Sequence, residues 1–133
     1  MTVSLEDARR IIAAGERYAI HLGQPVNIAV VDHAGILVAH VRMDNARLRT
    51  ADISVERACA ARASALPARL VNHAGGPGDL GDGEWDVVPA QPGSGLTGAV
   101  PLRRDGLIVG AVGVSGGPTP HDEAIARAAA AAF

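Results

Sequence analysis

The sequence predicts an α+β domain in which helices are layered on an antiparallel sheet. Two observations carry this. Well-capped amphipathic segments stand at both ends of the chain, and two apolar β-type hairpins stand between them. Two hairpins join most simply into one antiparallel sheet, whose faces the helices must cover.

Taken in order, Ser4-Leu5-Glu6-Asp7 matches a capping box, with Ser4 as N-cap. Ala8, Ile11, Ile12, Gly15, Ala19 and Leu22 then recur at helical spacing over about five turns. Gly23 stops this helix and Pro25 prevents its restart. Val26 to Val31 is a near-continuous β-branched run, the pattern of a strand covered on both faces. Asp32-His33-Ala34-Gly35 reads as a turn, and Ile36 to Met43 returns as the partner strand. A small-residue helix is expected from Thr50 to about Ser64, with a second short helical piece from Pro67 through Val71. Gly75 to Gly95 reads as a long irregular segment. Ala99–Leu102 and Leu107–Val114 form the second hairpin around Arg103-Arg104-Asp105-Gly106. Thr119 as N-cap, Pro120 at the first helical position and Asp122 closing the box predict the last helix, which runs to Phe133.

Composition removes several classes of function. At 133 residues the chain fits one domain, 1–133. It has three aromatic residues (Tyr18, Trp85 and Phe133) and a net charge of -2. Neither a stacking platform nor a basic footprint for nucleic acid is present. All twelve basic residues are arginine, so a lysine Schiff base is excluded. Cys59 stands alone, and an internal disulfide is therefore impossible. No run approaches a membrane span and Met1–Arg10 lacks the apolar core of a signal peptide, so a cytoplasmic protein is expected.

The densest chemistry is His40-Val41-Arg42-Met43-Asp44-Asn45 at the end of the second strand. Side chains alternate along a strand, so His40, Arg42 and Asp44 are predicted on one face. There His40 or Asp44 can serve as general base or acid, and Arg42 can hold a carboxylate in two hydrogen bonds. Gly116 and Gly117, in the Gly113-Val114-Ser115-Gly116-Gly117 corner, offer amides to an anion at the next helix. The same corner matches G-x-S-x-G, but His121 and Asp122 follow it in the wrong order for a hydrolase. Gly93-Ser94-Gly95-Leu96-Thr97-Gly98 matches G-x-G-x-x-G without the strand before it and helix after it that nucleotide binding needs. The histidines show no metal spacing, and Asp79, Asp82, Glu84 and Asp86 lack the calcium-loop pattern, so no metal site is expected. An ion pair between Arg42 and Asp44 is the structural alternative.

Gln24-Pro25-Val26-Asn27-Ile28-Ala29-Val30-Val31-Asp32, Gly35 and Arg42-Met43-Asp44-Asn45-Ala46 resemble the GlcG/HbpS-like heme-binding family. Val100-Pro101-Leu102, Asp105-Gly106, Val109 to Gly117 and Asp122-Glu123 agree, so the likeness covers nearly the whole chain. It extends to the C-terminal domain of corrinoid adenosyltransferases. The resemblance implies a three-layer, profilin-like helix/sheet/helix fold that assembles as a homo-oligomer, a dimer or larger. It also implies a small-molecule ligand, heme or a related tetrapyrrole, with His40 as axial ligand. Arg42, Asp44, Asn45, Gly116 and Gly117 would then line the site. Arg57 completes the candidate ligand-binding set, although its segment departs from the family's usual Lys-Ala-x-Thr-Ala: Arg57-Ala58-Cys59-Ala60-Ala61 lacks both the lysine and the threonine hydroxyl. The alternatives are a cofactor-independent isomerase, lyase or cyclase using the same pocket, and a purely structural assembly module.

Overall fold

The structure, a computed structural model, describes residues 2–47, 50–64, 68–72, 85–89 and 98–133. The first helix, α1 (Leu5–Leu22), starts at the expected capping box. Ser4 Oγ accepts the Asp7 N–H at 3.0 Å, and Asp7 Oδ2 accepts the Ser4 N–H at 3.1 Å. Gly23 ends the helix in the left-handed region at φ 67°, where glycine avoids a side-chain clash.

Strands β1 (Asn27–Asp32) and β2 (Leu37–Arg42) pair as a hairpin. Asp32 Oδ1 shapes its turn by accepting the Ala34 and Ile36 amides, both at 2.9 Å. Helix α2 (Ala51–Ser64) follows. The second hairpin joins β5 (Ala99–Arg104) to β6 (Leu107–Ser115) through Asp105 and Gly106, at φ 53° and 79°. Two successive positive φ values make the two-residue turn that matches strand twist. Helix α3 (Thr119–Ala131) closes the described chain.

The four strands form one antiparallel sheet in the order β2-β1-β6-β5. β1 is central and buried along nearly its whole length, as its unbroken apolar run implies. Helices α1 and α3 cover one face, where Ile11, Ile28, Val112 and Ile125 meet in a common core. Each such side chain stabilises the fold by about 1.5–3 kcal/mol when fully buried. α1 and α3 approach closely at Gly15, where a β-carbon would lie 2.8 Å from Ile28 Cδ1 and 3.2 Å from Ala129 Cβ. α2 covers the opposite face with Ala58 and Ala61. The three-layer α+β architecture is therefore the one expected.

Two local expectations are corrected. Ala68–Asn72 is a strand, β3, paired antiparallel with β4 (Trp85–Pro89); it is not a helical piece. β4 also interrupts the stretch read as irregular from Gly75 to Gly95. Val71, Trp85, Val87 and Val88 are β-branched or aromatic, and such residues favour a pleated strand over a helical turn. The second correction concerns α3, whose N-cap is Pro118 and which has no side-chain cap bond, so Thr119 does not cap it. His73, Asp79, Asp82, Glu84 and residues 93–97 of the glycine motif lie outside the described residues.

The chain ends are clasped together. Arg10 bonds Asp7 and, through Nε, the Ala132 carbonyl at 3.0 Å. Arg104 lies 4.4 Å over the Phe133 ring and 3.8 Å from Asp7. The Ser4 amide, then the Ser4 hydroxyl, hold the Asp7 carboxyl below its ordinary 3.8, with Arg10 and Arg104 acting in the same direction. Because the folded value is the lower one, this stabilisation is complete above the unfolded value and is lost as pH falls through the folded one. Thermal melts taken from neutral pH to about pH 2 should show a shallower acid decline for Asp7→Asn than for the parent. Ser4→Ala should cost about 1 kcal/mol at neutral pH in the same melts.

Candidate functional site

Pairing fixes which side chains share the α2 face. Asn27 stands opposite Arg42 on one side and Ser115 on the other. Two residues along, Ala29 stands opposite His40 and Gly113, and Gly113 opposite Ala99. Directly opposed residues lie on the same face. The face thus carries a polar row, Arg42–Asn27–Ser115, beside a row of small residues that begins at His40. Ala39 and Val41 oppose Val30 and Ile28 and so point to the α1/α3 side.

His40 and Arg42 share a face as expected, but Asp44 does not join them. β2 stops at Arg42, the Met43 amide bonds Val26 O at 3.0 Å, and Asp44-Asn45 form a turn. Asn45 turns the chain at φ 67°, a left-handed conformation that asparagine tolerates better than most residues. Strand alternation therefore no longer applies at Asp44. Arg42 and Asp44 are both exposed, and among the described residues they form no ion pair with each other. With Glu16, Val41 and Met43 they line an open cleft of about 410 Å³ at the sheet edge.

The residue that sequence reasoning missed is Asn27, fully buried in the central strand. Its Nδ2 donates to Thr50 Oγ1 at 2.7 Å, while Thr50 Oγ1 donates to Arg47 O at 2.8 Å. Ser115 Oγ donates to Thr50 O, tying the start of α2 to the end of β6. Among the described residues Asn27 Oδ1 has no partner, and neither does His40 Nε2; both atoms are closed to solvent. An unmade bond at a buried polar atom costs about 1–3 kcal/mol. These two share the α2 face, while the third such atom among the described residues, His121 Nδ1, belongs to α3. The available signal was a lone amide inside an apolar run, since buried polar groups are normally satisfied.

Arg57 and Gly117 meet at the end of β6, while Gly116 lies beside the polar row, where a β-carbon would stand 3.5 Å from Thr50 Oγ1. Arg57 Nη1 donates to Val114 O at 2.6 Å and to Asp122 Oδ2 at 2.8 Å. Asp122 is 1% exposed, and its Oδ1 accepts the Gly117 amide at 2.9 Å. This corrects two expectations. The Gly117 amide is committed to Asp122, so it is not a free anion donor. Asp122 also bonds back to the glycine corner; it does not complete a capping box with Thr119. Gly98 permits the arrangement, because a β-carbon there would stand 2.8 Å from Arg57 Nη1 and 2.9 Å from Val114 O. His40 on edge strand β2 is separated by β1 from this latch, which holds β6 at Val114.

Comparison with known proteins then decides the family. The family model described as "Haem degrading protein HbpS-like" matches residues 3–131. The chain belongs to the HbpS-like family. It is 40% identical to protein GlcG of Escherichia coli over 113 residues, which covers 85% of this chain and 81% of GlcG. It is 30% identical to the corrinoid adenosyltransferase PduO of Citrobacter freundii over 135 residues, all of this chain but 39% of PduO. Among solved structures it resembles a PduOC:heme complex, with a TM-score of 0.71 and 25% identity over all of this chain and 96% of that one.

Within this HbpS-like fold, among the described residues, no helix is long and apolar enough to cross a membrane and no three metal-ligating side chains cluster. The latch and the His40 face should behave oppositely on substitution. Asp122→Ala leaves a partly buried guanidinium and the Gly117 amide unpaired. Arg57 keeps 28% exposure, so the expected loss in urea unfolding is about 2 kcal/mol, below that of a fully buried pair. His40→Leu removes an unsatisfied buried nitrogen, and should raise stability by about 1 kcal/mol, or about 4 °C in Tm.

Proposed function

We propose that this HbpS-like chain binds heme or a related tetrapyrrole, and that His40 Nε2 would hold the iron when heme is the ligand. One observation carries the reading: that nitrogen is buried on the α2 face without a hydrogen-bond partner. With the ring proton on Nδ1, Nε2 keeps a lone pair that no protein donor has taken, which is what an iron centre requires. The family description and the likeness to the PduOC:heme complex support the same ligand class.

The residues present fit such a group. His40 would hold the iron, and heme when bound supplies a metal centre for ligand or redox chemistry. Arg42, exposed at the strand end, would pair with a propionate carboxylate in the two-pronged geometry that guanidinium favours. Asp44 and Asn45 would form the rim beside it. Arg57 would act at a distance, by holding the end of β6 to α3.

A cofactor-independent isomerase, lyase or cyclase is the second reading, favoured by the exposed Arg42 beside an unpartnered His40 on one face. There His40 would be the base and Arg42 the group that holds a carboxylate or enolate oxygen. Hemin titration separates the two. The heme reading expects a saturable Soret band in the parent protein. In His40→Ala the band should shift and the affinity should fall about tenfold or more, a loss of at least about 1.4 kcal/mol. Absence of any saturable change in the parent overturns it.

A further inference from the structure

Asn27 bears on which tetrapyrrole the face is built for. Its amide orientation is fixed by chemistry. Thr50 Oγ1 has one proton, and it points to Arg47 O at 2.8 Å, so toward Asn27 it can only accept. The group facing Thr50 is therefore the NH2, and the carbonyl Oδ1 is left as an unpartnered acceptor in a residue of 0% exposure. On the next strand and the same face, His40 Nε2 is also unpartnered. With Nδ1 carrying the ring proton, Nε2 is an acceptor too. Two buried acceptors, two residue pairs apart along the β1–β2 ladder, call for a ligand that brings N–H or O–H donors.

Heme meets only half of this demand. Its four ring nitrogens are taken by iron, so it offers His40 a metal but gives Asn27 no ring donor. An open-chain tetrapyrrole offers pyrrole and lactam N–H groups along one edge and keeps the two propionates. We propose that the His40 face binds open-chain tetrapyrroles, whose N–H groups donate to Asn27 Oδ1 and His40 Nε2 while a propionate meets Arg42. The inference rests on the tetrapyrrole reading of this face but needs no iron. Placement agrees with it. β2 is an edge strand, and α2 packs chiefly on β6, β1 and β5 and only touches β2. Arg42, two residues beyond His40 on the same face, stands exposed at the end of that edge strand.

Parallel absorbance titrations with biliverdin and with hemin test this on the whole chain. The parent should bind biliverdin saturably, and His40→Ala should weaken both ligands. Asn27→Leu should lower the biliverdin-to-hemin affinity ratio about tenfold, the effect of leaving a buried donor unpaired. Thr50→Val frees the Asn27 amide to rotate and should lower the ratio in the same direction by less. If Asn27→Leu fails to fold, as judged by loss of its cooperative melt, Thr50→Val decides. An unchanged ratio in the folded variants, or no biliverdin binding by a protein that takes hemin, overturns the inference. Biliverdin binding that depends on Asn27 in a protein that ignores hemin overturns the heme reading and upholds this one. Failure of both ligands overturns both.

Discussion

The contact on which the rest of the structure depends is the backbone of α2 lying against the sheet at Gly113. A β-carbon there would fall 2.2 Å from Ser54 O and 2.6 Å from Ala58 N, closer than any rotamer change could relieve. The row across the sheet is accordingly small, Ala29–Gly113–Ala99, and the helix meets it with Ala58 and Ala61. Because the helix sits this low, Arg57 reaches Val114 and Asp122, and Thr50 reaches Asn27 and Ser115. A larger residue at Gly113 would lift both ends of α2 and separate both sets of partners.

The same small row ends at His40, the first bulky side chain beyond the cover of the helix. This explains why one face holds both a dry, tightly packed half and an unsatisfied polar half. Alanine and glycine let helix and sheet backbones approach; past them, on the edge strand, α2 makes fewer contacts than it does on β1, β5 and β6. A polar side chain placed there is shielded by its neighbours but has no donor or acceptor of the protein to meet.

What was legible in the sequence was whatever is encoded within a few residues. The Ser4 box, the Gly23 stop, the Asp105-Gly106 turn and the buried run of β1 each rest on local chemistry, and each appears in the fold. Helix α3 was legible in extent but not in its start, because Asp122 is drawn to the Gly117 amide and Arg57, contacts set by tertiary packing. The pairing of β3 with β4 was hidden by the twelve residues between them and by an alanine-rich approach that imitates helix. In the candidate site, alternation placed His40 and Arg42 correctly and failed at Asp44, where the strand had already ended. Asn27 escaped notice because an apolar run invites averaging over its one polar member.

The scarcity of aromatic residues sharpens what kind of recognition this face can perform. Among the described side chains, Phe133 is held under Arg104, and Tyr18 lies 5.9 Å from His21 on α1. Neither belongs to the α2 face. A flat conjugated ligand bound there cannot be chosen by stacking against these rings, so selectivity falls to hydrogen bonds and charge. Those are strong discriminators when buried, because a ligand that lacks the matching group leaves the protein's own atom unpaired. Among the described residues, Asn27 Oδ1 and His40 Nε2 already stand without partners. The stability they forgo is what the proposed ligand would restore by donating to both atoms.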